Sequence, residues 1–161
     1  MIILEILERI KKVIDVFSLK GISIAFAESC TGGYICHMFT NISGASNIFD
    51  RGIICYSNQA KINLLNVDIK SIEQYGAVSE IVAKELAFNV RVLSNVDIGI
   101  GITGIAGPTG GTTEKPIGLV FIGYSTEKET KVDNYQFSVD RLTFKEKVLE
   151  KIVAFLEQLS I

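Results

Sequence analysis

The sequence of residues 21–33 is GISIAFAESCTGG, a short apolar run followed directly by a polar segment that ends in two glycines. Residues 21–27 have the length and apolar content of a buried strand. The polar residues 28–33 interrupt that pattern, and a helix is expected from about Gly33 to Thr40. A strand that leads at once into a helix is the repeating unit of α/β folds, so this segment predicts that class.

Helical and strand-like patterns alternate along the rest of the chain. Apolar residues at helical spacing over residues 2–17 predict an amphipathic helix that ends near Lys20-Gly21, with Gly21 as its C-terminal cap. Small polar residues that can cap a helix precede three later helical patterns. The later helices are expected from Ser57 or Asn58 to Leu65, from Ser79 onward, and from Thr143, with Glu146 as its capping-box partner. The further strands are expected at residues 52–56, 97–102, 117–124 and 131–139.

The last two strands follow each other without a helix between them, which predicts an antiparallel pair in an otherwise interleaved sheet. The sequence therefore predicts an α/β fold in which helices cover both faces of a mixed sheet. With 161 residues, 48% of them hydrophobic and 21% charged, the chain can bury a substantial core. We expect a single domain over residues 1–161, because domains are most often about 100–150 residues long.

Composition excludes several classes of function. The formal net charge is −2, which argues against nucleic-acid binding, since that requires a basic face. No apolar run approaches the ~20 residues of a membrane span, and no leader sequence is recognisable, so a cytoplasmic protein is expected. Three cysteines without a CxxC pair and a single histidine, His37, do not make a metal site, so no metal and no cofactor are expected.

Residues 28–33, ESCTGG, form the first candidate site. They are predicted to precede a helix, where unpaired N–H groups carry a partial positive charge. Such groups could bind a phosphate or the oxyanion of an acyl-transfer reaction. The alternative is an ordinary helix cap in which Ser29 or Thr31 is the capping residue.

The glycine-rich loop 103–116 forms the second candidate site. It follows a predicted buried strand, the position where α/β proteins commonly bind ligands, although a flexible surface loop is the alternative. Residues 99–104 match GxGxxG but lie within the strand rather than before a helix. Position 124 is Tyr124 rather than a ribose-binding acid, so a dinucleotide site is rejected.

A nucleophile in the first site would need a base. His37 falls in mid-helix and is expected to be a packing or surface residue, whereas Lys61 could act as a base if burial lowered its pKa. A solvated lysine at a helix start is the alternative. Ser29 and Cys30 compete as nucleophiles, and the residues alone do not choose between them.

Five motifs in order resemble the CinA C-terminal domain family and span nearly the whole chain. The first is Ala27–Gly33 and the last is Glu114–Gly118. Between them lie Arg51-Gly52 with Tyr56–Lys61, then Gly76–Ser79, then Thr103–Gly111. The resemblance implies a three-layer α/β/α sandwich with a mixed sheet. Members are commonly homo-oligomers, so a homo-oligomer is expected.

The resemblance also implies an activity. Characterised members are nicotinamide-nucleotide amidohydrolases, which convert nicotinamide mononucleotide and water to nicotinate mononucleotide and ammonia in pyridine nucleotide salvage. Carried over to this sequence, the family's catalytic serine is Ser29 and its lysine is Lys61, with Tyr56 nearby. The alternative is a non-catalytic nucleotide-binding or regulatory domain related to competence or DNA damage.

The resemblance assigns binding of the nucleotide substrate to residues around these three. The family's Gly-Asp-Arg stretch before the last helix is Val139-Asp140-Arg141 here, and its following arginine is replaced by Lys145, a weaker bidentate partner for phosphate. The expected substrate-binding residues are Cys30, Thr31, Gly32, Gly33, Thr103, Gly104, Gly107 and Arg141.

Overall fold

The computed structural model describes residues 2–159, which form six α-helices and five β-strands. The helices are α1 (Ile2–Lys20), α2 (Tyr34–Thr40), α3 (Asn58–Leu65), α4 (Ile69–Tyr75), α5 (Glu80–Ser94) and α6 (Arg141–Leu159). The strands are β1 (Ile24–Glu28), β2 (Phe49–Ile54), β3 (Ile98–Gly104), β4 (Leu119–Ser125) and β5 (Thr130–Gln136). None of the helices within residues 2–159 combines the length and apolar character required to cross a bilayer.

The five strands form one mixed sheet in the order β2-β1-β3-β4-β5. Strand β1 runs parallel to both β2 and β3, and β4 and β5 continue the sheet in antiparallel pairing. Glu28, the last residue of β1, lies opposite Ile54 on one side and Ile102 on the other. The predicted mixed sheet with an antiparallel final pair is therefore confirmed.

Two buried clusters lie on opposite faces of this sheet and make the fold a three-layer sandwich. Helices α1, α2 and α6 cover one face, where Phe17, Phe26 and Phe144 are fully buried. Helices α3, α4 and α5 cover the other face, where Leu65 and Leu86 pack against small residues of β1. Burial of this much apolar surface is the main force that stabilises the layers.

Helix α5 packs unusually close to the centre of the sheet because glycines of β3 and β4 face it. A Cβ atom on Gly101 would lie 2.4 Å from the backbone nitrogen of Ala87. One on Gly123 would lie 2.3 Å from the carbonyl oxygen of Ala83. The close approach holds the start of α5 beside the carboxyl end of β3.

The start of α6 differs from the expectation. The predicted capping box of Thr143 and Glu146 is wrong, because the helix begins two residues earlier, at Arg141. The Asp140 carboxylate accepts hydrogen bonds from the backbone nitrogens of Leu142 (3.0 Å) and Thr143 (3.1 Å). Asp140 is therefore the cap of a helix that starts before Thr143, and it accepts from the first unpaired nitrogens of that helix.

The bounds of the second strand were also predicted wrongly, and one helix was missed. The second strand covers Phe49–Ile54 rather than residues 52–56, because pairing with β1 ends at Ile54. Helix α4, capped by Asp68, was not predicted. It is only seven residues long, too short for a clear helical period in the sequence.

Candidate active site

The candidate site lies where the parallel strands end. Ser29 follows β1, Tyr56 lies just beyond β2, and Thr103 and Gly104 end β3. Parallel strands bring their carboxyl ends to the same edge of a sheet, which is where ligands bind in open α/β folds. A cavity of about 250 Å³ opens at this edge. It is lined by Ser29, Cys30, Tyr56, Asn58, Lys61, Ala77, Val78, Thr103, Gly104, Ile105, Ala106, Gly107, Thr109, Gly110 and Arg141.

Ser29 and Lys61 are in direct contact inside this cavity. The Lys61 Nζ atom lies 2.8 Å from the Ser29 Oγ atom, although the residues are 32 positions apart in the chain. Lys61 is 2% exposed and Ser29 is 7% exposed. A lysine amine is almost never buried to this degree without a carboxylate partner. Among residues 2–159, no carboxylate forms an ion pair with Lys61.

Backbone carbonyl groups surround the rest of the Lys61 amine. Nζ donates to the carbonyl oxygens of Cys55 at 2.9 Å and of Tyr56 at 3.2 Å. Burial lowers the pKa of Lys61 below its ordinary value of 10.5, because desolvation disfavours the charged form. A neutral amine has two N–H donors and one lone pair. In that neutral form, with both donors directed at the carbonyl oxygens of Cys55 and Tyr56, the lone pair would be left for the Ser29 hydroxyl.

The start of α3 explains how Lys61 reaches this position. The Ser57 hydroxyl caps the helix by accepting from the backbone nitrogen of Ala60 at 3.0 Å, as the sequence predicted. Lys61 lies one turn further on, and side chains on a helix lean toward its N-terminus. The Lys61 side chain is therefore directed back toward the carbonyl groups that precede the helix and toward Ser29.

Cys30, the competing nucleophile, has a different environment. It is 7% exposed and belongs to the hydrophobic core on the α1–α2–α6 side of the sheet. Burial raises the pKa of its thiol to about 12, so the thiol stays protonated at neutral pH. The group in contact with the lysine amine is the hydroxyl of Ser29. This geometry favours Ser29 over Cys30 as the nucleophile.

The turn after Ser29 is closed by Glu28, a residue that the sequence analysis included in the first candidate site without giving it a role of its own. The Glu28 carboxylate accepts from the Thr31 hydroxyl (2.7 Å) and from the Gly33 backbone nitrogen (2.9 Å). The Gly32 nitrogen donates to the Ser29 carbonyl oxygen at 3.1 Å. Thr31, Gly32 and Gly33 are not among the residues that line the cavity.

Tyr56 lines the cavity mouth, and its side chain is 61% exposed. Its contact with Lys61 is made by the backbone carbonyl group rather than by the phenol. Among the described residues, no hydrogen bond joins the phenol to Ser29 or Lys61. Tyr56 is therefore placed to contact a ligand at the mouth.

The glycine-rich loop is anchored on both sides of the cavity. Arg141 Nε donates to the Gly107 carbonyl oxygen at 2.7 Å, which attaches the loop to the start of α6. Lys115 Nζ donates to the Tyr75 carbonyl oxygen at the end of α4. Thr103 is 1% exposed, and its hydroxyl donates to the Ala77 carbonyl oxygen at 2.8 Å. The loop thus forms a wall of the cavity, and hydrogen bonds attach it to α6, to the end of α4 and to the segment that follows α4.

The sequence analysis missed several residues of the cavity. Asn58 lies next to the predicted helix cap, and its polar side chain gave no separate signal. Ala77 and Val78 also line the cavity. The Thr103 hydroxyl donates to the Ala77 carbonyl oxygen, and the Ser79 hydroxyl donates to the Gly76 carbonyl oxygen (2.8 Å). Small apolar residues carry no chemical signature, so Ala77 and Val78 were recognised only as part of the motif Gly76–Ser79 and were given no place in a site.

His37, Cys36 and Cys55 take no direct part in the cavity lining. His37 is exposed on α2, as expected for a surface residue. Cys55 is buried, whereas Cys36 is half-buried. Lys145 of α6 lies over the Ser29 turn, because a Cβ atom on Gly32 would be 3.8 Å from its amine. It adds a positive charge beside the cavity.

The comparisons with known proteins agree with this architecture. The family model for the CinA C-terminal domain matches residues 7–160. The chain therefore belongs to the CinA C-terminal domain family. A CinA-like protein of Syntrophotalea carbinolica is 49% identical over 121 residues, which is 75% of this chain and 29% of that protein. The chain spans about a third of the length of the curated relatives that it matches.

Two solved structures have nearly the same fold. The competence damage-inducible protein A (ComA) of Klebsiella pneumoniae is 28% identical with a TM-score of 0.92, covering 96% of this chain and 97% of that chain. The competence/damage inducible protein CihA of Agrobacterium tumefaciens is 33% identical with a TM-score of 0.88, covering 96% and 93% respectively.

Proposed function

We propose that this protein is a nicotinamide-nucleotide amidase that hydrolyses the carboxamide of nicotinamide mononucleotide to nicotinate mononucleotide and ammonia. The observation that carries the proposal is the 2.8 Å contact between the Lys61 amine and the Ser29 hydroxyl. A buried amine with a lowered pKa next to a hydroxyl is the arrangement that activates a serine without histidine. The family resemblance supplies the substrate class.

Acylation begins with proton transfer from Ser29 to the neutral Lys61 amine. Ser29 Oγ attacks the carboxamide carbon, and a tetrahedral oxyanion forms. The protonated Lys61 then gives its proton to the departing nitrogen, so ammonia leaves and an acyl ester remains on Ser29. The carbonyl oxygens of Cys55 and Tyr56 stabilise the lysine in its transient ammonium form.

Gly104 is the best-placed donor for the oxyanion. The next residue, Ile105, directs its amide toward β4 and donates to the Leu119 carbonyl oxygen at 2.8 Å. Successive amides of a strand point in opposite directions, so the Gly104 amide points to the side where Ser29 lies. Gly32 and Gly33 are less suitable, because their amides already donate to Ser29 and Glu28. Preorganised amide donors of this kind stabilise an oxyanion strongly.

Deacylation repeats the same proton path with water. Lys61 removes a proton from a water molecule, which attacks the acyl ester and forms a second tetrahedral oxyanion. Lys61 then returns the proton to Ser29 Oγ as the carboxylate product leaves. The products of the complete cycle are nicotinate mononucleotide and ammonia, and the enzyme returns to its starting state.

Positively charged side chains support binding of a nucleotide phosphate. Arg141 lines the cavity, and Lys145 lies beside it over the Ser29 turn. Arginine and lysine are the usual partners of phosphate oxygens. The loop residues Gly107, Thr109 and Gly110 line the same side of the cavity and offer backbone groups to the ribose phosphate.

Ammonia release from nicotinamide mononucleotide tests the proposal. The wild-type protein should release ammonia and form nicotinate mononucleotide in equal amounts, and Ser29→Ala and Lys61→Met should not. His37→Ala is a control, because His37 is exposed on α2 and lies outside the cavity lining. A wild-type protein that binds the nucleotide without releasing ammonia would support the alternative, a non-catalytic regulatory domain. Release from nicotinamide riboside at an equal rate would contradict a role for the phosphate.

A further inference from the structure

Glu28 carries the most heavily hydrogen-bonded carboxylate of the described chain, and no step of the reaction above uses it. It has 0% exposure. Its Oε2 atom accepts from the Thr31 hydroxyl, from the Gly33 nitrogen and from the Ile35 nitrogen (3.3 Å), and its Oε1 atom accepts from the Cys36 nitrogen (2.8 Å). Four donors from one short segment therefore converge on one buried side chain.

The donors all belong to residues 31–36, the segment that immediately follows Ser29. No lysine, arginine or histidine among residues 2–159 forms an ion pair with Glu28. Its charge is stabilised instead by N–H and O–H donors at the start of α2. A buried charge with this set of partners is costly to disturb, because each donor would lose its acceptor at once.

The backbone of Glu28 connects this turn to the lysine side of the site. The Cys55 nitrogen donates to the Glu28 carbonyl oxygen at 2.8 Å, and the Cys55 carbonyl oxygen accepts from Lys61 Nζ at 2.9 Å. Glu28 also directly precedes Ser29 in the chain. Glu28 thus contacts both the turn that follows Ser29 and Cys55, whose carbonyl oxygen binds the Lys61 amine.

We propose that Glu28 is a positioning residue, whose buried carboxylate holds the turn of residues 29–33 so that the Ser29 hydroxyl stays within reach of the Lys61 amine. The turn contains two successive glycines with positive φ, Gly32 at 60° and Gly33 at 94°. Such residues have broad conformational freedom, so the turn requires an external restraint. The Glu28 carboxylate supplies this restraint by accepting hydrogen bonds from Thr31 and Gly33 within the turn.

The inference rests on the proposed role of Ser29 as a nucleophile and not on the identity of the substrate. A purely structural role for Glu28 would affect stability and leave the reactivity of Ser29 in the folded protein unchanged. A positioning role lowers kcat and the intrinsic reactivity of Ser29 and leaves KM nearly constant. The two roles are therefore separable by measurement.

A fluorophosphonate probe, which labels activated serines whatever their natural substrate, tests the proposal on the full chain. Glu28→Gln keeps the side-chain size, but replaces one acceptor oxygen by an NH₂ group that faces N–H or O–H donors. Ile98→Ala is the control, because Ile98 is buried at the opposite end of β3 and its loss destabilises the fold away from the site. Labelling rates and melting temperatures are measured for each protein.

We expect wild type and Ile98→Ala to be labelled at Ser29 at similar rates, and Glu28→Gln at least ~10-fold more slowly. With nicotinamide mononucleotide, Glu28→Gln should lower kcat by a similar factor while KM changes less than about threefold. Labelling of folded Glu28→Gln at the wild-type rate overturns the proposal. An equal loss in Ile98→Ala also overturns it, because instability alone would then explain the effect.

Thr31→Val keeps the test decisive if Glu28→Gln does not fold. It removes one donor to the carboxylate and leaves the charge in place, and it should slow labelling by about threefold. An unchanged rate in Thr31→Val would then overturn the proposal. If the wild-type protein is labelled at Ser29 but does not hydrolyse nicotinamide mononucleotide, the proposed substrate is wrong and the proposed role of Glu28 still stands. Absence of labelling in wild type contradicts both.

Discussion

The amine of Lys61 lies 2.8 Å from the hydroxyl of Ser29, in a site where the lysine is 2% exposed and has no carboxylate partner among the described residues. An amine in such surroundings is neutral at a lower pH than a solvated lysine, because burial disfavours its charged form, and only the neutral amine can accept a proton. The pair is therefore the centre of the proposed chemistry. The neighbouring Cys30 thiol makes no such contact, and burial raises its pKa to about 12.

Replacement of the nucleophile should separate Ser29 from Cys30. We expect Ser29→Ala to reduce ammonia release on the order of 10³-fold or more while the protein stays folded, because the acyl intermediate can no longer form. Cys30→Ala should keep the rate within about fivefold, since it removes only a buried sulfur atom. A steady-state ammonia assay and a melting curve measure both effects. Full activity in Ser29→Ala would contradict the assignment.

Activity should increase with pH. Burial lowers the pKa of Lys61 below 10.5, and only its neutral form accepts a proton from Ser29. The value of kcat/KM should therefore rise as pH increases through this lowered pKa and reach a plateau above it. A profile from pH 5.5 to 10 with substrate at low concentration measures the effect. A flat profile across that range would show that no such base is in use.

The same lowered pKa predicts how stability depends on pH. Between the folded-state pKa of Lys61 and 10.5, the unfolded chain binds a proton that the folded protein does not. The free energy of unfolding should therefore rise with pH in this window, since the unfolded state binds more protons there. Urea unfolding at several pH values measures this slope, and Lys61→Met should lose it. An equal slope in Lys61→Met would assign the effect to other groups.

Arg141 should contribute to binding rather than to chemistry. It lines the cavity and donates to the Gly107 carbonyl oxygen at 2.7 Å. We expect Arg141→Met to raise KM for nicotinamide mononucleotide about tenfold and to leave kcat within about twofold. The KM of Arg141→Lys should fall between those of the wild type and Arg141→Met, because lysine keeps the charge but lacks the planar guanidinium group. A loss in kcat without a change in KM would contradict this role.

The glycine of the central strand provides a test of the fold itself. A Cβ atom on Gly101 would lie within 2.8 Å of three atoms of α5, so Gly101→Ala should destabilise the protein by about 3 kcal/mol. Gly21→Ala is the matched control, since nothing lies within 4 Å of its Cβ position. Its positive φ should cost only ~1 kcal/mol. If urea unfolding shows that Gly101→Ala and Gly21→Ala lose equal free energies of unfolding, the close packing of α5 on the sheet is contradicted.

Much of the fold was predictable because short local patterns in the sequence indicate individual helices and strands. The apolar residues of β1, the capping residues Ser57 and Ser79, and the uninterrupted pair β4–β5 each indicated an element correctly. The cap of α6 was not predicted, because Thr143 and Glu146 match a capping box while Asp140, three residues before Thr143, caps the helix instead. Competing local signals of similar energy cannot be ranked from sequence alone.

The site was predictable only where chemistry was visible in the residue types. Ser29 and Lys61 were candidates from their positions, but their contact depends on β1 and α3 meeting at one edge of the sheet. The role of Glu28 was hidden, because a carboxylate after a strand usually faces water, and its burial follows from the packing of α2. Long-range contacts of this kind are properties of the fold.

The protonation state of Lys61 is the most direct test of the proposed chemistry. Nitrogen-15 NMR of protein labelled at lysine side chains can follow the Nζ signal during a pH titration, and Lys61→Met identifies that signal by its disappearance. The structure predicts that this amine loses its proton below the ordinary lysine value of 10.5, ahead of the exposed lysines. A titration of Lys61 at the same pH as the exposed lysines would contradict its role as the base that activates Ser29.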